Sequence, residues 1–133
     1  MRALKGLKVK FMDLEAECTA LFDSGSAITA IQGSFFEESF GPRWLKLSRP
    51  LRLFWINGES ITAGKYAQVS IIMDGFEIPE IVFIVDDFVE QVEVEGRSIK
   101  LPELIVGSGT MDRYGIILDP KEGVKLTGAT LLL

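Results

Sequence analysis

Short apolar segments rich in β-branched residues alternate with turn signals along most of this chain. Asn57-Gly58, Asp74-Gly75, Glu95-Gly96 and Glu122-Gly123 each stand between two apolar stretches, which is the pattern of β-hairpins. The stretches themselves predict strands over Lys8 to Met12, Thr19 to Phe22, Leu51 to Ile56, Tyr66 to Met73 and Glu77 to Asp86. Pro79 inside the last of these predicts an edge position or a bulge, because proline has no N–H for a ladder. Leu104 to Val106, Ile116 to Leu118 and Val124 to Leu126 complete the series, and Ala129 to Leu133 is a candidate terminal strand. Two segments depart from this pattern. Phe35 to Phe40 reads as a short helix ended by Gly41-Pro42, and Thr110 to Tyr114 as another with Gly115 just beyond it.

Length adds that 133 residues suit a single domain spanning 1–133, with a core that needs neither disulfides nor metal. Composition removes most hydrolytic machinery. Without a histidine there is no Ser-His-Asp triad, no Cys-His pair and no His-based zinc site, and the lone Cys18 can build neither an internal disulfide nor a cysteine metal cluster. The chemistry left is that of carboxylates, hydroxyls, Lys, Arg and backbone, with no metal and no cofactor expected. A net charge of −5 has the wrong sign for neutralising phosphates, so no nucleic-acid partner is expected. The run Ile81 to Val85 is too short to cross a bilayer, and lysines interrupt the first eleven residues before a signal-peptide stretch can form. The expectation is a soluble, cytoplasmic protein with no membrane partner.

One stretch carries candidate chemistry: Ala20-Leu21-Phe22-Asp23-Ser24-Gly25-Ser26-Ala27-Ile28-Thr29. An apolar strand runs into an acid, a small hydroxyl and a glycine that permits a tight turn and close backbone approach. Alone, such a triplet is also a common strand-ending turn. Downstream, Leu104-Ile105-Val106-Gly107 leads into the second short helix, followed by Tyr114-Gly115-Ile116-Ile117-Leu118-Asp119-Pro120. In this combination, from about Lys8 to Leu126, the chain resembles the retropepsin-like aspartic proteases. That family is marked by an apolar strand entering Asp-[Ser/Thr]-Gly, a hairpin flap, and a late apolar-apolar-Gly segment before a helix.

The resemblance implies an all-β, retropepsin-like closed barrel of the acid-protease fold, with one or two short helices and a homodimeric state. It implies peptide-bond hydrolysis by two Asp23 carboxylates, one per subunit, sharing a proton around a water, since like charges about 3 Å apart cannot both ionise. This chain has one such motif, so the second carboxylate would come from a second copy across a two-fold axis. By the same resemblance Ser24 would bond across the axis, and Gly25 would offer its backbone to a peptide or protein substrate. Ser26 and Ala27 would border the first pockets, Val106 and Gly107 would pack beneath the loop, and Trp55, Ile56, Asn57 and Gly58 would form the flap. The first and last strands, with Leu131-Leu132-Leu133, would build the dimer sheet.

Three positions depart from the family's pattern. Ser108 and Gly109 stand where retroviral members carry Arg and then Asp or Asn in a polar network, and Ala27 stands where they carry an Asp that holds substrate backbone. The flap tip has one glycine instead of a glycine-rich run. These departures bear on catalytic vigour more than on fold.

Rival readings find less support. Val106-Gly107-Ser108-Gly109-Thr110 resembles a phosphate-cradling loop, yet a dinucleotide fold needs βαβ crossovers and 24 residues follow Gly109. Glu37-Glu38, Asp86-Asp87 and the alternating Glu90, Glu93 and Glu95 read as solvated faces, and Trp44 and Trp55 as packing or cleft residues. The serious alternative keeps the fold without the activity: a dimerisation or peptide-binding module in which Asp23 is a structural acid.

Overall fold

Phe11, Val9 and Leu7 are buried while Lys8 and Lys10 between them reach solvent, so the lysine-rich start of the chain is a half-buried strand. In the computed structural model, which describes residues 1–54, 58–86, 88, 91–100, 102–128 and 131–133, this strand is β1 (Arg2–Phe11). It turns at Met12-Asp13, with Met12 at a φ of 55°, into β2 (Leu14–Asp23), paired residue for residue from Phe11↔Leu14 to Arg2↔Asp23. Both strands extend beyond the sequence expectation, because that turn carries no glycine to announce it.

The remaining elements are β3 (Ala30–Gln32), α1 (Gly33–Phe40), β4 (Leu45–Phe54), β5 (Ser60–Met73), β6 (Phe76–Val85), β7 (Gln91–Val94), β8 (Arg97–Lys100), β9 (Leu104–Val106), α2 (Ser108–Tyr114), β10 (Ile116–Asp119) and β11 (Gly123–Leu126). The main sheet runs β1-β2-β9-β3-β6-β5-β4, and β5 also pairs with β1, which closes six strands into a barrel and leaves β4 outside the ring. Closure uses the length of β5. Its first half carries β4 on one edge, and Ser70 to Ile72 on that edge carry β1. Two pairs are parallel, β2 with β9 and β3 with β6; the rest are antiparallel.

Two of the four expected turns take the hairpin conformation. Asp74-Gly75 and Glu95-Gly96 hold both residues at positive φ, the conformation that two-residue hairpins favour and that glycine adopts without strain. Pro79 stays in unbroken register with β5, opposite Ser70. It occupies an edge because β3 covers β6 only from Phe83 onward, so the missing N–H faces no strand. β4 begins six residues before the expected Leu51, and Ile56, the expected end, lies outside the described residues.

The core fills the barrel and extends beneath α1. Phe36 and Phe40, one helical turn apart, meet Phe11 with ring centroids 5.2 and 5.6 Å away. Gly41 ends that helix at a φ of 80°. A smaller cluster joins Ala30, Ala63 and Val85 to Ile28, Leu53 and Ile61. At the C-terminus the expected strand is not formed over Leu131 to Leu133, which are exposed, and Ala129 lies outside the described residues. β1 pairs with β2 along its whole length on one edge, and on the other it pairs with β5 over Lys8 to Lys10. Among the described residues no helix is long and apolar enough to cross a membrane.

Candidate functional site

Parallel pairing brings two strand ends together. Ala20, Leu21 and Phe22 of β2 lie beside Leu104, Ile105 and Val106 of β9, so Asp23 leaves the sheet next to Gly107. Three consecutive fully buried or nearly buried residues precede the acid, which holds its Cα rigidly at the barrel's end. The loop from Asp23 to Thr29 is tied to itself by Gly25 N–H to Asp23 Oδ1 (2.9 Å), Ser26 N–H to the Asp23 carbonyl (3.1 Å) and Ser26 Oγ to the Ile28 carbonyl (2.9 Å). It is tied to the start of α2 by Ser108 N–H donating to the Ser26 carbonyl at 2.7 Å.

Gly107 is the contact that makes this possible. A Cβ there would stand 2.2 Å from the Ile28 carbonyl oxygen and 2.7 Å from that of Ser26, so only glycine allows the two backbones to touch. Val106 is fully buried beneath the loop. Ala27 is exposed, and its carbonyl faces Gly109. Thus Asp23, Ser24, Gly25, Ser26, Ala27, Val106 and Gly107 form one cluster. Of the expected flap, Trp55, Ile56 and Asn57 lie outside the described residues, while Gly58 is exposed between β4 and β5 at a φ of 89°.

Behind the loop runs a polar network that uses neither the Ser108 side chain nor Gly109. Gly107 N–H donates to Thr29 Oγ1 at 3.1 Å, Thr29 and Thr110 hydroxyls are 2.6 Å apart, and Thr110 Oγ1 donates to Glu80 Oε2 at 2.9 Å. A hydroxyl has one hydrogen, and Thr110 spends its own on Glu80, so Thr29 must be the donor between the two threonines. The chain therefore runs in one direction, from the Gly107 amide through two buried hydroxyls to a carboxylate that Arg113 neutralises. Tyr114 adds an O–H bond to the Pro79 carbonyl at 2.6 Å. Together these fasten α2 and β6 to the back of the Asp23 loop.

The front of the loop meets β1. Arg2 Nε lies 3.1 Å from Asp23 Oδ2, with the two side chains 26% and 17% exposed, and Arg2 Nη1 donates to the Glu93 carbonyl of β7 at 3.1 Å. The Met1 carbonyl accepts from Ser24 N–H at 3.2 Å and from Ser24 Oγ at 3.3 Å, and the Met1 amino group donates to Ser24 Oγ at 2.9 Å. Sequence reasoning overlooked Arg2, Thr29, Glu80, Thr110 and Arg113. A turn placed at Met12-Asp13 would have set Arg2 opposite Asp23; the others meet through long-range packing with no local signal. Of the acids read as solvated, Glu37, Glu38, Asp86, Glu93 and Glu95 are exposed, Glu37 also accepting from Trp44 Nε1 at 3.1 Å, and Asp87 and Glu90 lie outside the described residues. Trp44 is a packing residue, with Lys65 Nζ 4.1 Å above its ring.

No family model matches the chain, and no curated protein matches its sequence. Solved structures do resemble it. The retroviral protease-like domain of Ddi1 from Leishmania major superimposes with a TM-score of 0.58 at 14% identity, covering 98% of each chain. EIAV protease, in complex with the inhibitor HBY-793, gives a TM-score of 0.59 at 12% identity over 100% of this chain and 94% of that one. A protein of unknown function from Legionella pneumophila gives 0.50 at 10% identity, covering 86% and 89%. Mostly β, with a closed six-stranded mixed barrel and two short helices, the chain has the fold of the retroviral protease-like domains.

Proposed function

We propose that residues 1–133 form one aspartic-protease domain that hydrolyses peptide bonds as a homodimer, each copy supplying one Asp23. The observation that carries this reading is the seating of Asp23. It ends a buried strand, its Oδ1 is fixed by the Gly25 amide, and the Gly107 backbone packs beneath its loop. This occurs in a fold shared with EIAV protease. In the dimer one carboxylate is ionised and the other protonated. The ionised one takes a proton from a water lying between them, and the water oxygen bonds to the scissile carbonyl carbon. The protonated one gives its proton to the carbonyl oxygen, leaving a neutral tetrahedral diol. Transfer of a proton to the amide nitrogen then lets the C–N bond break, releasing an amine and a carboxylic acid. No covalent intermediate and no cofactor is used.

A second reading is favoured by one observation. In the single chain Asp23 is ion-paired with Arg2 and the Ser24 hydroxyl is bonded to Met1, an arrangement that suits a non-catalytic dimerisation or peptide-binding module. Digestion of a peptide library from mildly acidic to neutral pH separates the two. The protease reading expects cleavage by the native chain and none by Asp23→Asn. Equal cleavage by both would remove the mechanism, and absence of cleavage by a dimeric native chain would favour the module.

A further inference from the structure

We propose that Arg2 is a latch on Asp23, and that the Asp23–Ser24 loop becomes available to a second copy of this chain only when Arg2 lets go. The proposal rests on the reading of Asp23 as the catalytic carboxylate and concerns the regulation of that site. The β1–β2 ladder sets Arg2 directly opposite Asp23, and opposed residues in a ladder project on the same face. The guanidinium takes Oδ2 at 3.1 Å, and the Gly25 amide already holds Oδ1 at 2.9 Å. Oδ1 is therefore held in place by its own loop while Oδ2 faces a cation of the same chain. A dyad needs two such carboxylates about 3 Å apart with one proton between them. A guanidinium on each would neutralise the charge that shares the proton.

The latch has an anchor outside the barrel. Arg2 Nη1 holds the carbonyl of Glu93 in β7, and β7 pairs with β8 in a separate two-stranded sheet. Arg2 thus bridges the catalytic loop to a satellite hairpin. Ser24 is held in the same way, its N–H and its hydroxyl both directed to the Met1 carbonyl. Neither side chain of the ion pair is fully buried, so the latch is reversible by a competing partner.

Sedimentation velocity over a dilution series of the full chain tests this, with Arg2→Gln and Arg2→Lys beside the native chain and peptide-library cleavage by each, Asp23→Asn serving as control. Arg2→Gln is expected to associate at about fivefold lower concentration than the native chain, the size of a partly exposed ion pair. Its cleavage rate at limiting concentration is expected to rise in proportion. Arg2→Lys keeps the charge but cannot bridge Asp23 and Glu93 together, so it falls between the two and carries the comparison if Arg2→Gln unfolds at a lower temperature. Association of both variants that is unchanged or weaker overturns the latch. If Asp23→Asn abolishes cleavage in that case, the protease reading survives without it. If nothing cleaves while Arg2→Gln still associates more readily, the protease reading falls and Arg2 governs association alone.

Discussion

Gly107 and Ile28 are packed backbone to backbone, at a separation that leaves 2.2 Å between the Ile28 carbonyl oxygen and any Cβ added to Gly107. The obstacle is backbone at both Ile28 and Ser26, so no side chain can swing aside to make room. Gly107→Ala must therefore push the Asp23–Thr29 loop away from α2 and stretch the Ser108 N–H bond to the Ser26 carbonyl. The expected cost is about 1–3 kcal/mol, typical of overpacking, read as a fall of several degrees in the thermal midpoint. Any cleavage activity should fall much further than stability does. An unchanged midpoint would show that the loop is not held in this way.

The relay from Gly107 to Glu80 gives a second expectation. Thr110→Val leaves Thr29 Oγ1 with a hydrogen and no acceptor in a buried place, and removes one donor from Glu80. That substitution should cost about 1–3 kcal/mol by chemical denaturation. Thr29→Val strands the Gly107 amide in the same relay, so the double variant should cost clearly less than the two single costs added together. Additive costs, within a few tenths of a kcal/mol, would mean that the two hydroxyls act independently.

Cys18 offers a measurement free of any functional reading. Burial, helped by the nearby charge of Glu103, pushes its thiol from 9.0 up to about 12. The folded state therefore keeps a proton that the unfolded state loses, and the associated stability is fully present below about pH 9 and drains away as pH rises towards 12. The slope over that window is about 1.4 kcal/mol per pH unit. Urea midpoints at pH 8, 9, 10 and 11 should diverge between the native chain and Cys18→Ala, which lacks the titrating group. Thiol reagents at pH 8 should label Cys18 only as fast as the chain opens. Rapid labelling without denaturant would contradict the burial.

The parts of this fold legible in the sequence were those with local causes. The hairpin turns at Asp74-Gly75 and Glu95-Gly96 follow from positive φ at both residues, and the break at Gly115 from a left-handed residue at φ 66°. The seating of the Asp23-Ser24-Gly25 loop on Val106-Gly107 was legible only through the family resemblance, since nothing local announces the parallel β2–β9 pair that brings the two strand ends together. The β1–β2 turn was not, because Met12 adopts its positive φ without glycine, and the ladder above it enforces the conformation. Without that turn, the register that sets Arg2 against Asp23 could not be read. Thr29, Thr110 and Glu80 are far apart in sequence and meet only when the barrel closes, so no spacing announces them.

Ala27 supplies the last expectation. It is exposed within the Asp23–Thr29 loop, and the family resemblance implies an Asp at this position that would hold substrate backbone. An exposed site tolerates the larger side chain, so Ala27→Asp should leave folding stability within about 0.5 kcal/mol. Under the protease reading the new carboxylate would accept a hydrogen bond from the bound peptide's backbone. A charged acceptor of that kind is worth roughly a tenfold change in binding. It touches the substrate away from the scissile bond and acts equally on ground and transition states. KM should therefore fall roughly tenfold with kcat unchanged, as uniform binding requires. A lower kcat with KM unchanged would mean instead that the added charge disturbs the shared proton of the Asp23 pair. If neither constant moves while Asp23→Asn remains inactive, substrate does not run past Ala27.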